Sequence, residues 1–324
     1  IPPRLLCRGG VYSVSSSGTE MSLQYIVKRL FYLVVTAFVV SMIVFGITQI
    51  LPANAAVMML GEYATPDALA AVEERLGLNR PVAVQYLDWV WGILQGDMGN
   101  SLRTDLPVGP VVFEALGRSL ILAGFALLSV VVIAIPLGVF AALNRGKKGD
   151  LFASFFSYVG ISMPEFVLAT LLLVVLSRPE IGLFPASGYV PLSEDFFKGL
   201  WHIALPVITL AIILTAHVMR MVRSEMIDTL HSEFVIAANM RGLSKYTVLV
   251  HHALRNSLLP TITVLALDVG YLIGGIIVVE EIFAFPGVGR LLIVAVQERD
   301  LTMLQAGALV MSVTYSLVNL FADM

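Results

Sequence analysis

The chain has 324 residues, of which 58% are hydrophobic and only 13% are charged, and its mean hydropathy is +0.88. Soluble domains are about 45–50% apolar and about 25% charged, so this composition excludes an ordinary soluble protein and indicates an integral membrane protein. The net charge of −3 gives no reason to expect a nucleic-acid partner, and a single cysteine, Cys7, excludes an intrachain disulfide and a thiolate metal cluster.

Residues 1–20 differ from the rest of the chain, because they are rich in glycine and serine and lack the apolar region of a signal peptide. We interpret them as a disordered extension or a remnant of cloning, and we take Met21 as the candidate native start. An N-terminal transmembrane helix is predicted over residues 21–51.

Six apolar runs reach the length of about 20 residues that a membrane-spanning helix needs. They cover residues 26–51, 120–143, 151–176, 203–222, 259–279 and 303–321. The sequence therefore predicts an all-α, polytopic membrane protein with about six transmembrane helices and with both termini on the same side.

Residues 52–117 are predicted to form a long extracytoplasmic loop with short helices, because this segment carries helix signals of its own. Thr65 followed by Pro66 is typical of a helix start, and the tryptophans Trp89 and Trp91 favour a helix at the bilayer interface. These features fit a docking surface for an external protein and a simple lid over the spans equally well.

The distribution of basic residues predicts the orientation of the chain in the membrane. Short cytoplasmic loops carry an excess of lysine and arginine, and three regions of this chain do so. Their basic residues are Lys28, Arg29, Arg145, Lys147, Lys148, Arg220, Arg223, Arg241, Lys245 and Arg255. All three regions fall on one face, which we assign to the cytoplasm together with both termini.

The most informative of these regions covers residues 223–258. Its apolar side chains recur at helical spacing, at Met226, Leu230, Phe234, Ala237 and Ala238. Gly242 then fits the residue that ends a helix, and Ser244 fits the cap of a second one. The pattern predicts two short helices and a tight turn at the membrane surface, a shape that suits insertion into a socket on a soluble partner.

The segment EFVIAANMRGLSKYTVLVHHALRNSLLPTI, which starts at Glu233, resembles the cytoplasmic coupling loop of ATP-binding cassette importer permeases. Ala237, Ala238 and Gly242 fit the general Glu-Ala-Ala…Gly pattern, whereas Ile236 and Arg255 depart from it as the dipeptide, oligopeptide and nickel permease subfamily does. Three other runs are similar to that subfamily and occur in the expected order: GDMGNS at 96–101, LFPASGY at 183–189 and VVEEIFAFPGVGRLL at 278–292.

This resemblance implies a type I importer permease fold, with a five-helix transmembrane domain over residues 118–324. It assigns coupling to a partner ATPase to Glu233, Ala237, Ala238, Gly242, Leu243 and Arg255. It also implies a second homologous permease subunit, two cytoplasmic ATPase subunits that carry ATP-Mg, and an extracytoplasmic solute-binding protein. No catalytic residue and no cofactor is expected in this chain, and its one Gly-Lys pair, Gly146-Lys147, lacks the P-loop spacing.

The function that the resemblance implies is import of peptide-like solutes across the bacterial inner membrane by alternating access. Nickel, glutathione or opines remain open as substrates, and so does a secondary transporter or channel. An intramembrane enzyme is disfavoured, because the sequence shows no paired nucleophile and base.

Three acidic residues lie in or at the predicted spans, where a charge is a functional candidate. Glu165 follows Pro164 in the third run and is a candidate contact for a cationic substrate group, or else a structural acid. Asp268 lies in the fifth run and either lines the pathway or bonds across a helix interface. Glu280 closes the fifth run, where a cap or gate is an alternative to the substrate pathway. His217 has no second ligand at metal spacing, so no metal site is expected.

Overall fold

The computed structural model describes residues 23–50, 65–76 and 79–322, and helices dominate these segments. An isolated bridge between Asn100 and Pro107 is the β-structure found in them. The predicted extension at residues 1–20 and the first part of the predicted outer segment, residues 52–64, lie outside the described residues.

The helices of the described residues vary from 8 to 38 residues in length. In chain order they are α1 (Leu23–Ile50), α2 (Pro66–Leu76), α3 (Val82–Leu94), α4 (Val108–Leu143), α5 (Lys148–Ser162), α6 (Glu165–Leu176), α7 (Phe196–Leu230), α8 (Glu233–Met240), α9 (Lys245–Ile282), α10 (Val288–Gln297) and α11 (Leu301–Ala322).

Five of these helices, α1, α4, α7, α9 and α11, are long and apolar enough to cross a membrane. Helices α5 and α6 make a sixth span if they are counted together, although they meet at an angle of 106°. The prediction of an all-α polytopic protein with about six transmembrane helices is confirmed.

The bend between α5 and α6 has a local cause. The backbone of Met163 is extended, at φ −88° and ψ 125°, because the ring of the following Pro164 disfavours the helical conformation there. Glu165, which the sequence places inside the third apolar run, therefore lies in the first turn of a separate helix, α6.

Three spans are much longer than their apolar runs. Helix α4 begins at Val108 rather than near residue 120, α9 begins at Lys245 rather than near residue 259, and α7 covers Phe196–Leu230 rather than residues 203–222. Hydropathy detects only the part of a helix that is apolar enough for lipid, so amphipathic turns at its ends escape detection.

Helix α7 forms the centre of the molecule, and α4 packs along it most extensively. Gly138 makes their close approach possible, because a Cβ atom there would lie 2.6 Å from the Cβ of Val222. Small residues at such positions allow membrane helices to pack backbone to backbone. Helices α5, α6 and α9 surround the rest of α7, so the candidate residues of the spans lie near this centre.

Candidate functional site

The predicted coupling segment forms two helices around Gly242. Helix α8 ends at Met240, Gly242 adopts φ +74°, and the Ser244 hydroxyl accepts a hydrogen bond from the Thr247 amide at 3.1 Å. A left-handed backbone at this turn favours glycine, as the sequence pattern predicted.

The second helix is not the short surface helix that we predicted. It is the first part of α9, which continues through a π-helical stretch, Val248–Leu254, into the span. A π segment accommodates an extra residue without ending the helix, which hydropathy alone does not reveal. The predicted apolar stripe is also divided, because Met226 and Leu230 belong to α7.

Helix α8 is anchored to its own chain by Val235 and Ala238. They are 1% and 6% exposed, and they pack in a cluster with Met226 of α7, Ala142 of α4 and residues of the π segment. The resemblance assigned Ala238 to coupling, yet its side chain is buried against its own chain, because one face of so short a helix must cover its own cluster.

The opposite face of α8 and the turn after it present apolar side chains to the exterior. Met240 is 79% exposed and Tyr246 is 70% exposed, values far above those of the anchoring residues. We define the coupling face as Phe234, Ile236, Ala237, Met240, Leu243 and Tyr246, all of which are exposed. The predicted residues Glu233, Gly242 and Arg255 are exposed as well.

Glu280 lies near the C-terminal end of α9 and is completely buried. Its carboxylate accepts hydrogen bonds from the Ser119 hydroxyl at 2.5 Å and from the amides of Gly289 and Arg290 at 2.8 and 3.2 Å. These amides belong to the first turn of α10, where a negative charge is favourable. The geometry thus places Glu280 as a helix cap that joins α4, α9 and α10.

Asp268 has a different environment in the middle of α9. Its Oδ1 atom accepts a hydrogen bond from Nδ1 of His217 in α7 at 2.9 Å. Its Oδ2 atom is buried and has no hydrogen-bond partner among the described residues. The His217 side chain is 45% exposed, whereas that of Asp268 is 8% exposed.

Glu165 approaches the same face of α9 from α6. A Cβ atom on Gly275 would lie 2.6 Å from both carboxylate oxygens of Glu165, so the absence of a side chain at Gly275 leaves room for the acid. The Glu165 carboxylate also interacts with the Tyr271 hydroxyl. The structure therefore brings Glu165 and Asp268 to one helix face and leaves Glu280 apart from them.

Two contacts of buried carboxylates escaped the sequence analysis. Asp150, at the start of α5, is buried and receives two hydrogen bonds from Arg223 of α7, at 2.5 and 2.8 Å. Asp300 bonds to Ser101 and accepts from the Met303 amide at 3.1 Å, which ties the 96–101 run to the start of α11. Their sequence separations of 73 and 199 residues explain why spacing gave no signal.

A family model for binding-protein-dependent transport system inner membrane components matches residues 134–324, and a model for the N-terminal part of such components matches residues 22–121. The chain belongs to this family. It is a multi-pass permease component of the inner membrane, and the resemblance found in the sequence is confirmed.

Several curated relatives match almost the whole chain. A dipeptide transport system permease protein of Alkalihalophilus pseudofirmus is 35% identical, over 93% of this chain and 96% of its own length. The dipeptide transport system permease protein of Escherichia coli is 34% identical over the same shares. A peptide transport system permease protein of Brucella suis, named as putative, is 33% identical over 92% and 95%.

Among solved structures, a crystal structure of an amino acid ABC transporter with histidines matches with a TM-score of 0.45 and 20% identity. The match covers 66% of this chain and 94% of that one.

Proposed function

We propose that this chain is the membrane-spanning subunit of an ATP-driven importer for peptide-like solutes, working by alternating access. The relatives named for dipeptide and peptide transport favour such solutes over nickel, glutathione or opines. In this proposal the chain pairs with a second, homologous permease subunit and receives solute from an extracytoplasmic binding protein. ATP-Mg binds to two cytoplasmic ATPase subunits.

The coupling face is the observation that carries the proposal. It exposes Phe234 by 45%, Ile236 by 50% and Met240 by 79%, although α8 has only eight residues. Adjacent exposed apolar side chains on a basic, cytoplasm-assigned segment mark a surface for a protein partner. The ATPase is the partner that the family resemblance assigns to this segment.

Anchoring makes this surface suitable for coupling. Because Val235 and Ala238 fix α8 to the ends of α4, α7 and α9, a partner that moves α8 also moves the membrane helices. A secondary transporter or channel has no use for an anchored docking helix of this kind. The same arrangement favours a cytoplasmic position for both termini.

Neighbouring alanines provide the test. Ala237→Trp adds a large side chain to the coupling face, and we expect the complex to lose the ATPase during purification and to lose solute-stimulated ATP hydrolysis in lipid. Ala238→Trp adds the same volume inside the cluster, where overpacking is destabilising by about 1–3 kcal/mol. We expect that variant to lower the amount of folded permease itself.

Gly242→Val should resemble Ala237→Trp, because a β-branched residue is strained at φ +74° and misdirects the turn while the spans remain intact. Ala70→Trp, on the exposed surface of α2, is the matched control and should retain the ATPase. Full stimulation and retention in both Ala237→Trp and Gly242→Val would refute the coupling role.

A further inference from the structure

We propose that α6, α7 and α9 together form a binding site for the two charged ends of a short zwitterionic peptide. Glu165 receives the α-ammonium group, and His217, held in place by Asp268, receives the terminal carboxylate. The proposal rests on the proposed function and adds a solute contact within the permease itself.

The three groups share one face of α9. Asp268, Tyr271 and Gly275 are separated by three and four residues, a spacing that places them above one another on a helix. His217 bonds at the level of Asp268, and Glu165 lies against Gly275 and Tyr271. The seven residues between Asp268 and Gly275 correspond to about 10 Å along the helix axis.

This separation defines the length of the ligand. An extended peptide advances by about 3.3–3.6 Å per residue, so two or three residues span the distance between the acidic and the imidazole ends. A free amino acid is too short to reach both ends, and a longer peptide would have to bend.

The His217 ring is positioned to bind an anion. Its Nδ1–H donates to the Asp268 carboxylate, so Nε2 remains available and, in the protonated ring, is a second donor. The ring is 45% exposed although it lies within a span, and a polar group at that depth faces protein or a water-filled cavity rather than lipid. Carboxylate-bound imidazoles are fixed in orientation by such a contact.

Asp268 provides an independent sign of a missing ligand. Its side chain is 8% exposed, and its Oδ2 atom has no hydrogen-bond partner among the described residues. Buried polar atoms in proteins are almost always bonded, so an unpaired carboxylate oxygen calls for a ligand or water.

Glu165 is suited to the opposite end. No basic side chain pairs with it in the described part of the chain, where its polar contact is the neutral Tyr271 hydroxyl. An unpaired carboxylate in a span is unfavourable, and a bound ammonium group would neutralise it.

The site is tested by measuring how variants of Glu165 and His217 bind a dipeptide whose amino or carboxyl end is free or chemically blocked. Binding of radiolabelled dialanine, N-acetyl-dialanine and dialanine amide is measured on the complete permease–ATPase complex in lipid nanodiscs, without the solute-binding protein. The unmodified complex should bind dialanine roughly tenfold more tightly than either blocked form, as expected for loss of one charged hydrogen bond.

Each variant should lose the preference for dialanine over one blocked ligand and keep the preference over the other. Glu165→Gln should bind dialanine and N-acetyl-dialanine equally, and still reject the amide. His217→Asn keeps a group at the position of Nδ1 but lacks Nε2, so it should bind dialanine and the amide equally and still reject the acetylated form. The controls Glu180→Gln and His202→Asn, at positions away from this face, should retain both discriminations.

The site is refuted if the unmodified complex binds dialanine and its two blocked forms with equal affinity. It is also refuted if both variants keep the preference for dialanine over both blocked forms, or if both variants lower the affinity for all three ligands equally. Uptake of dialanine by the full transporter, with its binding protein, is measured separately. If dialanine is taken up but the permease complex does not distinguish it from its blocked forms, the site alone is overturned. If neither dialanine nor longer peptides are taken up, the proposed function is overturned.

Discussion

Helix α9 carries two buried acids, and the difference between them separates a structural carboxylate from a functional one. Glu280 is fully buried, and both of its oxygens accept hydrogen bonds from α4 and α10. Asp268 is almost as buried, yet one oxygen bonds to a half-exposed histidine and the other has no partner in the described chain. Both acids belong to α9 and both are almost fully buried, so the bonding of their oxygens is the property that separates their roles.

The largest effect is expected at the structural acid. Glu280→Ala leaves the amides of Gly289 and Arg290 without their acceptor, and each unpaired buried donor is destabilising by about 1–3 kcal/mol. We expect a markedly lower melting temperature of the purified complex in detergent, or loss of the complex. Glu281→Ala, at an exposed neighbour, should melt like the unmodified protein. Equal melting temperatures for Glu280→Ala and Glu281→Ala would contradict the role of Glu280 as a helix cap.

An intermediate effect is expected from two glycines that each face a carboxylate. In Gly287→Ala the new methyl group overlaps Glu280, which is fixed by its bonds, so we expect destabilisation of about 1–3 kcal/mol. In Gly275→Ala it displaces Glu165, which has room to move, so melting should change little while dialanine uptake falls. The melting temperature and dialanine uptake are measured for both variants. A larger drop in melting temperature for Gly275→Ala than for Gly287→Ala would contradict this prediction.

The smallest change in stability is expected at Asp268. Asp268→Asn keeps an acceptor for His217 and nearly the same volume, so the free energy of unfolding should change by less than about 1 kcal/mol. Asparagine lacks the negative charge of the carboxylate that orients the His217 ring, so dialanine binding should weaken. The same nanodisc binding assay checks this, and Asp268→Asn with unchanged binding would make the acid a packing element like Glu280.

The sequence predicted the parts of this protein that depend on local chemistry. Apolar length gave the number of spans, and Gly242 and Ser244 marked the turn because backbone conformation and capping act over a few residues. Thr65 likewise accepts a hydrogen bond from the Ala68 amide at 3.4 Å, as its position before Pro66 predicted.

Features that depend on distant packing could not be predicted in this way. Ala237 and Ala238 are identical and adjacent, and only the position of Met226 and the π segment decides which of them is buried. His217 and Asp268 are 51 residues apart, and their pairing requires the packing of α7 on α9.

The cluster beneath α8 has a mechanical consequence. Ala142, Met226 and Val248 belong to three different membrane helices, and α8 rests on all of them through Val235 and Ala238. A close-packed interior has low compressibility, so a force applied to α8 is transmitted to three membrane helices instead of being absorbed by a loop. Since Asp268 lies about 35 Å along α9 from Lys245, a tilt of about five degrees about the N-terminal end of α9 displaces it by about 3 Å. That is the length of one hydrogen bond.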